Sequence, residues 1–111
     1  MECIFCKIFK KEINTKIIFE DDLTISFEDL NPVAPFHILI IPKKHIDSVN
    51  EINENNSIYI KQIFENIPKI VLKFNLKDYR IVSNIGPSAG QSVMHMHFHI
   101  LGNRKMNWPP G

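Results

Sequence analysis

Residues 91–102 read QSVMHMHFHILG, with His95, His97 and His99 at every second position and Met96, Phe98 and Ile100 between them. A β-strand repeats its side-chain direction every two residues, so this spacing puts three imidazoles on one face and three apolar groups on the other. The stretch MHMHFHIL is thus predicted to be a strand with a packed side and a histidine side. The whole chain has only five histidines, so three on one face point to a shared task. Imidazole titrates near pH ~6.5 and can serve as nucleophile, proton carrier or metal ligand, and the spacing leaves all three open, with a plain surface cluster as the bland alternative.

Immediately upstream, NIGPSAGQS (84–92) carries two of the four glycines, which permit close backbone approach, and Asn84, Gln91 and Ser92, whose polar groups can hold phosphate oxygens. Short glycine loops are usually only turns. A donor loop feeding directly into a histidine face, however, points to phosphoryl or nucleotidyl chemistry, with one imidazole attacking phosphorus while its neighbours manage charge and protons.

The remaining sequence sets bounds. One hundred and eleven residues make one domain, 1–111, able to bury roughly 65% of its unfolded surface. Thirteen basic against twelve acidic residues give a net charge of +1, too balanced for general nucleic-acid binding, so no nucleic acid is expected as a partner. The opening MECIFCKIFKKE interrupts its apolar residues with Glu2, Lys7, Lys10 and Lys11, unlike a secretory signal. The longest purely apolar run, ILII at 38–41, is far short of the ~20 residues of a membrane helix. A soluble cytoplasmic protein is expected, with no membrane partner. Cys3 and Cys6, spaced C-x-x-C, fit a redox pair, half a metal site or two packed core residues, and a reducing cytosol argues against a structural disulfide.

KIIFED and LTISFED read as short strands joined at Asp21 and Asp22, and PFHILIIP reads as a central strand apolar on both faces with His37 as its polar insertion. After a loop at NENN (53–56), Ile60, Ile63, Phe64, Ile67, Val71 and Phe74 repeat at helical spacing, which predicts a helix from Ser57 to about Phe74, kinked at Pro68. YRIVSNI and MHMHFHIL complete the set. The fold class is α+β: a short N-terminal helix, three strands, one long helix and two strands, with the helix on one face of a mainly antiparallel five-stranded sheet. Pro109 and Pro110 make the tail, 103–111, irregular, and Trp108 favours a docked tail.

HMHFHIL resembles the alternating signature of the histidine triad family, and CIFCKI, IIFEDD, FEDLNPVAPFHILIIPKKHI, GQSVMHMHFHILG and WPPG resemble segments of its nucleoside phosphoramidase-type branch. The resemblance spans nearly the whole chain and is least diagnostic from about Asn50 to Lys77. It implies a sheet extended across a homodimer and a purine nucleotide substrate, such as an AMP conjugate. It implies His97 as the nucleophile that forms a nucleotidyl-imidazole intermediate, His99 as a phosphate- and proton-handling partner, His37 on a facing strand as a support of the nucleophile, and Ser92 near the leaving group. Asn84, Gly90, Gln91 and Ser92 match the phosphate-holding loop and Asp29 the acceptor for ribose hydroxyls. Ile4, Phe5, Ile8, Phe27 and Leu30 match the purine slot.

The same resemblance implies a structural zinc held by Cys3, Cys6, His45 and His95, as in many bacterial-type members, although WPPG is shared with mammalian-type members that lack the cysteine pair. No organic cofactor is implied. The activity implied is adenosine 5′-monophosphoramidase-type hydrolysis of purine nucleoside phosphoramidates. The alternatives are hydrolysis of dinucleoside polyphosphates, or a nucleotide-responsive interaction protein whose hydrolysis is incidental.

Overall fold

The computed structural model describes residues 3–111. Helix α1 (Ile4–Phe9) is followed by strands β1 (Ile17–Glu20), β2 (Thr24–Glu28) and β3 (Phe36–Pro42), then helix α2 (Ser57–Lys73) and strands β4 (Tyr79–Val82) and β5 (Phe98–Gly102). The five strands form one sheet in the order β1-β2-β3-β5-β4, and every pairing is antiparallel. This is the α+β arrangement the sequence predicts.

Strand β3 owes its central position to two apolar faces. Ile38 and Ile40 pack with Phe98 and Ile100 of β5 against Ile63, Ile67, Ile70 and Val71 of α2. Leu39 and Ile41 face the other way, joining Ile25 and Phe27 of β2 and Phe5 and Ile8 of α1. Each fully buried isoleucine contributes roughly 2–3 kcal/mol of transfer free energy, so both layers hold β3 in place. Odd-numbered residues of β3 and β5 therefore share the α1 face, and that face carries His37 and His99.

Several boundaries differ from expectation. Strand β5 begins at Phe98, not Met94, because residues 93–95 form a bend and the Met96 N–H bonds Ile46 O at 2.6 Å outside the ladder. Likewise β4 stops at Val82, before the SNI of the predicted strand. Helix α2 runs unbroken through Pro68, whose exposed position leaves the carbonyl one turn earlier on the water side. Phe64 and Phe74, predicted on the packed face, lie at its margin: half-exposed, edge-on to Phe98 and tilted against Phe36 respectively.

On its buried side, α2 contributes a polar residue that periodicity missed. Asn66, fully buried, donates to Asp21 Oδ2 at 2.7 Å and Thr24 Oγ1 at 3.0 Å. Asp21 also accepts from the Leu23 and Thr24 backbone N–H groups. The turn between β1 and β2 is thereby fastened to the long helix. Among the described residues, no helix is long and apolar enough to cross a membrane.

Candidate active site

Between Val82 and Phe98, the chain leaves the sheet and returns through the loop that leads into the histidines. Gly86 and Gly90 take φ of 90° and 101°, backbone that other residues adopt only at a cost, and they bracket a single 3-10 turn, Pro87–Ala89. Gln91 locks this loop from inside: its Oε1 accepts from Gly86 N–H at 2.9 Å, while its Nε2 donates to Asp47 O at 2.7 Å and Val93 O at 3.1 Å. The Gln91 amide is thus turned inward onto backbone, and the exposed Ser92 is left facing the site. The Asn84 side chain reaches Gly90 O at 3.5 Å, on the outer side of the loop.

The three alternating histidines divide into two tasks. His95, fully buried, turns to the cysteines, whereas His97 and His99 stack edge-on with ring centroids 5.1 Å apart on the α1 face. His97 is 5% exposed and sits edge-on to Phe5 at 5.1 Å. Its Nδ1 lies 2.7 Å from His95 O, an acceptor only, so Nδ1 carries the proton and Nε2 keeps its lone pair. Ser83 Oγ donates to His97 O at 2.9 Å, tying this backbone to the end of β4.

Hydrogen bonding also orders His37 and His99. The Val33 N–H donates to His37 Nδ1 at 3.0 Å, so neutral His37 is protonated at Nε2. That N–H donates to His99 Nδ1 at 2.9 Å, which leaves His99 with its proton on Nε2. Asp29 Oδ2 stands 3.2 Å from His37 Nε2 and 3.9 Å from His99 Nδ1, and its Oδ1 accepts from Asn31 N–H at 2.7 Å. Burial pushes His99 down to about 4, helped by the neighbouring His97 and His37 and opposed by Asp29. Burial lowers His37 as well, against the pull of Asp29. Asp29, His37 and His99 are close enough to hold a cation, but a protonated His37 Nε2 is no ligand, so the three act as a hydrogen-bond chain.

Beside this chain lies a slot of about 220 Å³ lined by Ile4, Phe5, Ile8, Phe27, Asp29 and Leu30, with Ser92, His97 and His99 at its polar end. Thr15, Glu28, Asn31, Leu39 and Val93 also line it. Of these, Leu39 was readable, since it shares the odd-numbered face of β3 with His37. The others come from loops and strand ends that carry no periodic signal. Asn84, Gly90 and Gln91 lie outside the slot lining. An apolar slot with a carboxylate partway and imidazoles at one end can take a flat base, a diol and a phosphate in that order.

On the far side of His95, Cys3 Sγ lies 3.3 Å from His95 Nδ1, and Cys6 Sγ lies 3.3 Å from His45 Nδ1 and 3.6 Å from His95 Nδ1. In a tetrahedral zinc site, S and N ligand atoms stand about 3.6 Å apart, so these residues fit the ion. Both histidines present Nδ1 because Nε2 is engaged: His95 with Pro42 O at 3.1 Å, His45 with Asp47 Oδ1 at 2.7 Å. Burial, then the neighbouring Cys3 thiol, push Cys6 up to about 11, so the two sulfurs would not share negative charge without a cation between them.

In the tail, Arg80 of β4 donates to Asn107 O at 3.0 Å and Arg104 to Val33 O at 3.0 Å. The tail is held at these two points, and the Trp108 indole is 81% exposed.

Comparison with known proteins agrees with this geometry. Residues 2–108 match the family described as scavenger mRNA decapping enzyme C-term binding. The chain is 48% identical over 112 residues to a 14 kDa zinc-binding protein of Zea mays, covering 97% of this chain and 87% of the relative. It is 40% identical over 111 residues to a HIT-like protein of Synechococcus elongatus, covering 99% and 97%. Among solved structures, a HIT family hydrolase from Legionella pneumophila superposes with a TM-score of 0.95 at 43% identity, covering 99% of this chain and 100% of that one. A HIT family hydrolase from Clostridium thermocellum gives 0.92 at 44%, covering 96% and 94%.

Proposed function

The chain belongs to the histidine triad (HIT) family, and on that premise we propose that it is a nucleotide-binding hydrolase that cleaves the P–N bond of purine nucleoside 5′-phosphoramidates. The observation that carries this reading is the Nδ1–H bond of His97 to His95 O, which aims an unprotonated Nε2 at the polar end of an apolar slot. The base lies among Ile4, Phe5, Ile8, Phe27 and Leu30, the ribose hydroxyls donate to Asp29, and the phosphate rests at Ser92, His97 and His99. Asn84, Gly90 and Gln91 shape the loop that holds it.

His97 Nε2 attacks phosphorus, the P–N bond breaks, and its electron pair leaves with the amine. The amine takes a proton from His99 Nε2. The negative phosphate opposes the burial that keeps His99 neutral in the free protein, so that His99 takes up a proton from solvent when substrate binds and has one to give. Asp29 Oδ2, 3.2 Å from His37 Nε2 and 3.9 Å from His99 Nδ1, offers a compensating negative charge when His99 carries this extra proton. Water then attacks the nucleotidyl-imidazole, returns a proton to His99 and releases the nucleoside monophosphate.

Cys3, Cys6, His45 and His95 would hold a zinc ion, as the donor set and the name of the maize relative support. With two sulfurs and two nitrogens its coordination would be closed, so it would supply a cross-link between α1 and the segment leading into β5. The protein acts in the cytoplasm, where the thiols stay reduced. It pairs as a homodimer through the open edge of β4, whose Tyr79 and Ile81 are partly exposed and whose Arg80 anchors the tail so that Trp108 reaches toward the partner's site.

Comparing His97→Ala with the wild type for turnover and nucleotide affinity tests this. The enzyme reading predicts a loss of at least ~10³-fold in turnover with AMP binding retained. A variant that turns over normally contradicts it.

A further inference from the structure

A second hollow lies beyond the phosphate end of the slot, and the chemistry at His97 makes no use of it. This groove, about 610 Å³, is lined by Ile4, Ser92, Val93, Met94 and Asp47, together with Cys3 and His45 of the cysteine–histidine cluster. Ile4, Ser92 and Val93 line both hollows, so the two meet at Ser92, beside the phosphate end of the slot. The Asp47 side chain is 59% exposed, and one of its oxygens is 2.7 Å from His45 Nε2. Among the described residues, no Lys or Arg lines either hollow.

We propose that this groove is the leaving-group subsite and that it favours an alkyl amine bearing a second, protonated nitrogen. The methylenes lie along Ile4, Val93 and Met94, and the distant ammonium meets Asp47. The inference rests on the phosphoramidase reading and narrows it. A leaving polyphosphate would bring several negative charges to Asp47 with no basic side chain in the lining to receive them, whereas a diamine brings the opposite charge. Because the carboxylate is partly solvated, the selectivity is modest and weakens with salt.

The test measures kcat/KM of the full chain on four adenosine 5′-phosphoramidates. Their leaving groups are ammonia, a neutral alkylamine, 1,4-diaminobutane and 4-aminobutanoate. The expected order is diamine, then neutral amine, then amino acid anion, with about fivefold between diamine and neutral amine at low salt. Asp47→Asn, which can still accept from His45, should erase the diamine advantage and leave the ammonia compound within about twofold. Asp47→Lys should favour the anion. Zinc content measured on each variant separates loss of charge from loss of the metal cluster.

A flat ranking, or one unchanged in Asp47→Asn, overturns the subsite while turnover of the ammonia compound leaves the hydrolase reading standing. Failure to hydrolyse any of the four overturns both. The wild-type series alone decides the matter if neither variant folds.

Discussion

His97 Nδ1 lies 2.7 Å from the carbonyl oxygen of His95, two residues back along the same chain. The contact is local, so the tautomer of His97 is set by the bend that precedes β5 and does not wait for a ligand. A parallel device operates at Val33, whose N–H fixes His37 and, through it, His99. In long-range ¹H–¹⁵N spectra at neutral pH, His97 should appear as the Nδ1–H tautomer, and His37 and His99 as Nε2–H. Finding His97 protonated at Nε2 would remove the lone pair that the proposed attack requires.

Stability should depend on pH through His99. Its folded value, about 4, lies below the ordinary 6.5, so between these limits the unfolded chain binds the proton that the folded chain refuses. The contribution is therefore fully present above pH ~6.5 and is lost as pH falls toward ~4, amounting to at most about 3 kcal/mol. His37, lowered by burial, acts in the same direction. Urea unfolding of the wild type and His99→Gln across this window should show the steeper acid loss in the wild type. Parallel losses would mean that His99 titrates normally in the fold.

Asn66→Ala separates folding from function. It strips Asp21 of a donor in the buried network and leaves Thr24 Oγ1 without its amide partner. A loss of about 2–3 kcal/mol in unfolding free energy is expected, with AMP affinity unchanged because the network lies on the α2 side of the sheet. A loss under about 0.5 kcal/mol would show that the network is not needed to fasten α2.

Purified protein should contain stoichiometric zinc by atomic emission. Chelation or Cys6→Ser should lower the melting temperature by about 10 °C or more. Turnover should fall less than in His97→Ala, because the ion binds no substrate. Metal-free protein with both thiols freely reactive as isolated would contradict this part.

Most of the architecture was legible because it rests on short-range periodicity. The unbroken apolar run Ile38, Leu39, Ile40 and Ile41 placed β3 at the centre, and the repeat from Ile60 to Val71 placed α2. Reading His95, His97 and His99 as one face held: His95 and His97 both sit edge-on to Phe5 of α1, and His99 stacks on His97. Periodicity alone could not say that His95 turns its Nδ1 to cysteines more than eighty residues away in sequence, which only the family resemblance implied. Asn66 was illegible because its partner Asp21 is 45 residues upstream, and only the folded chain brings them together. Gln91 matched a phosphate loop by position, yet its amide serves the loop's own backbone, a use that depends on the positive φ of Gly86 and Gly90. Asp47 carried no signal at all, because its relation to His45 and the groove is purely spatial.

Acid-free quenching during turnover of an adenosine 5′-phosphoramidate, followed by peptide mass spectrometry, tests the nucleophile most directly. A nucleotidyl group attached to the peptide bearing His97, and absent from His97→Ala, is the predicted result. Steady turnover with no adduct, or an adduct on His99 in its place, would contradict the covalent route.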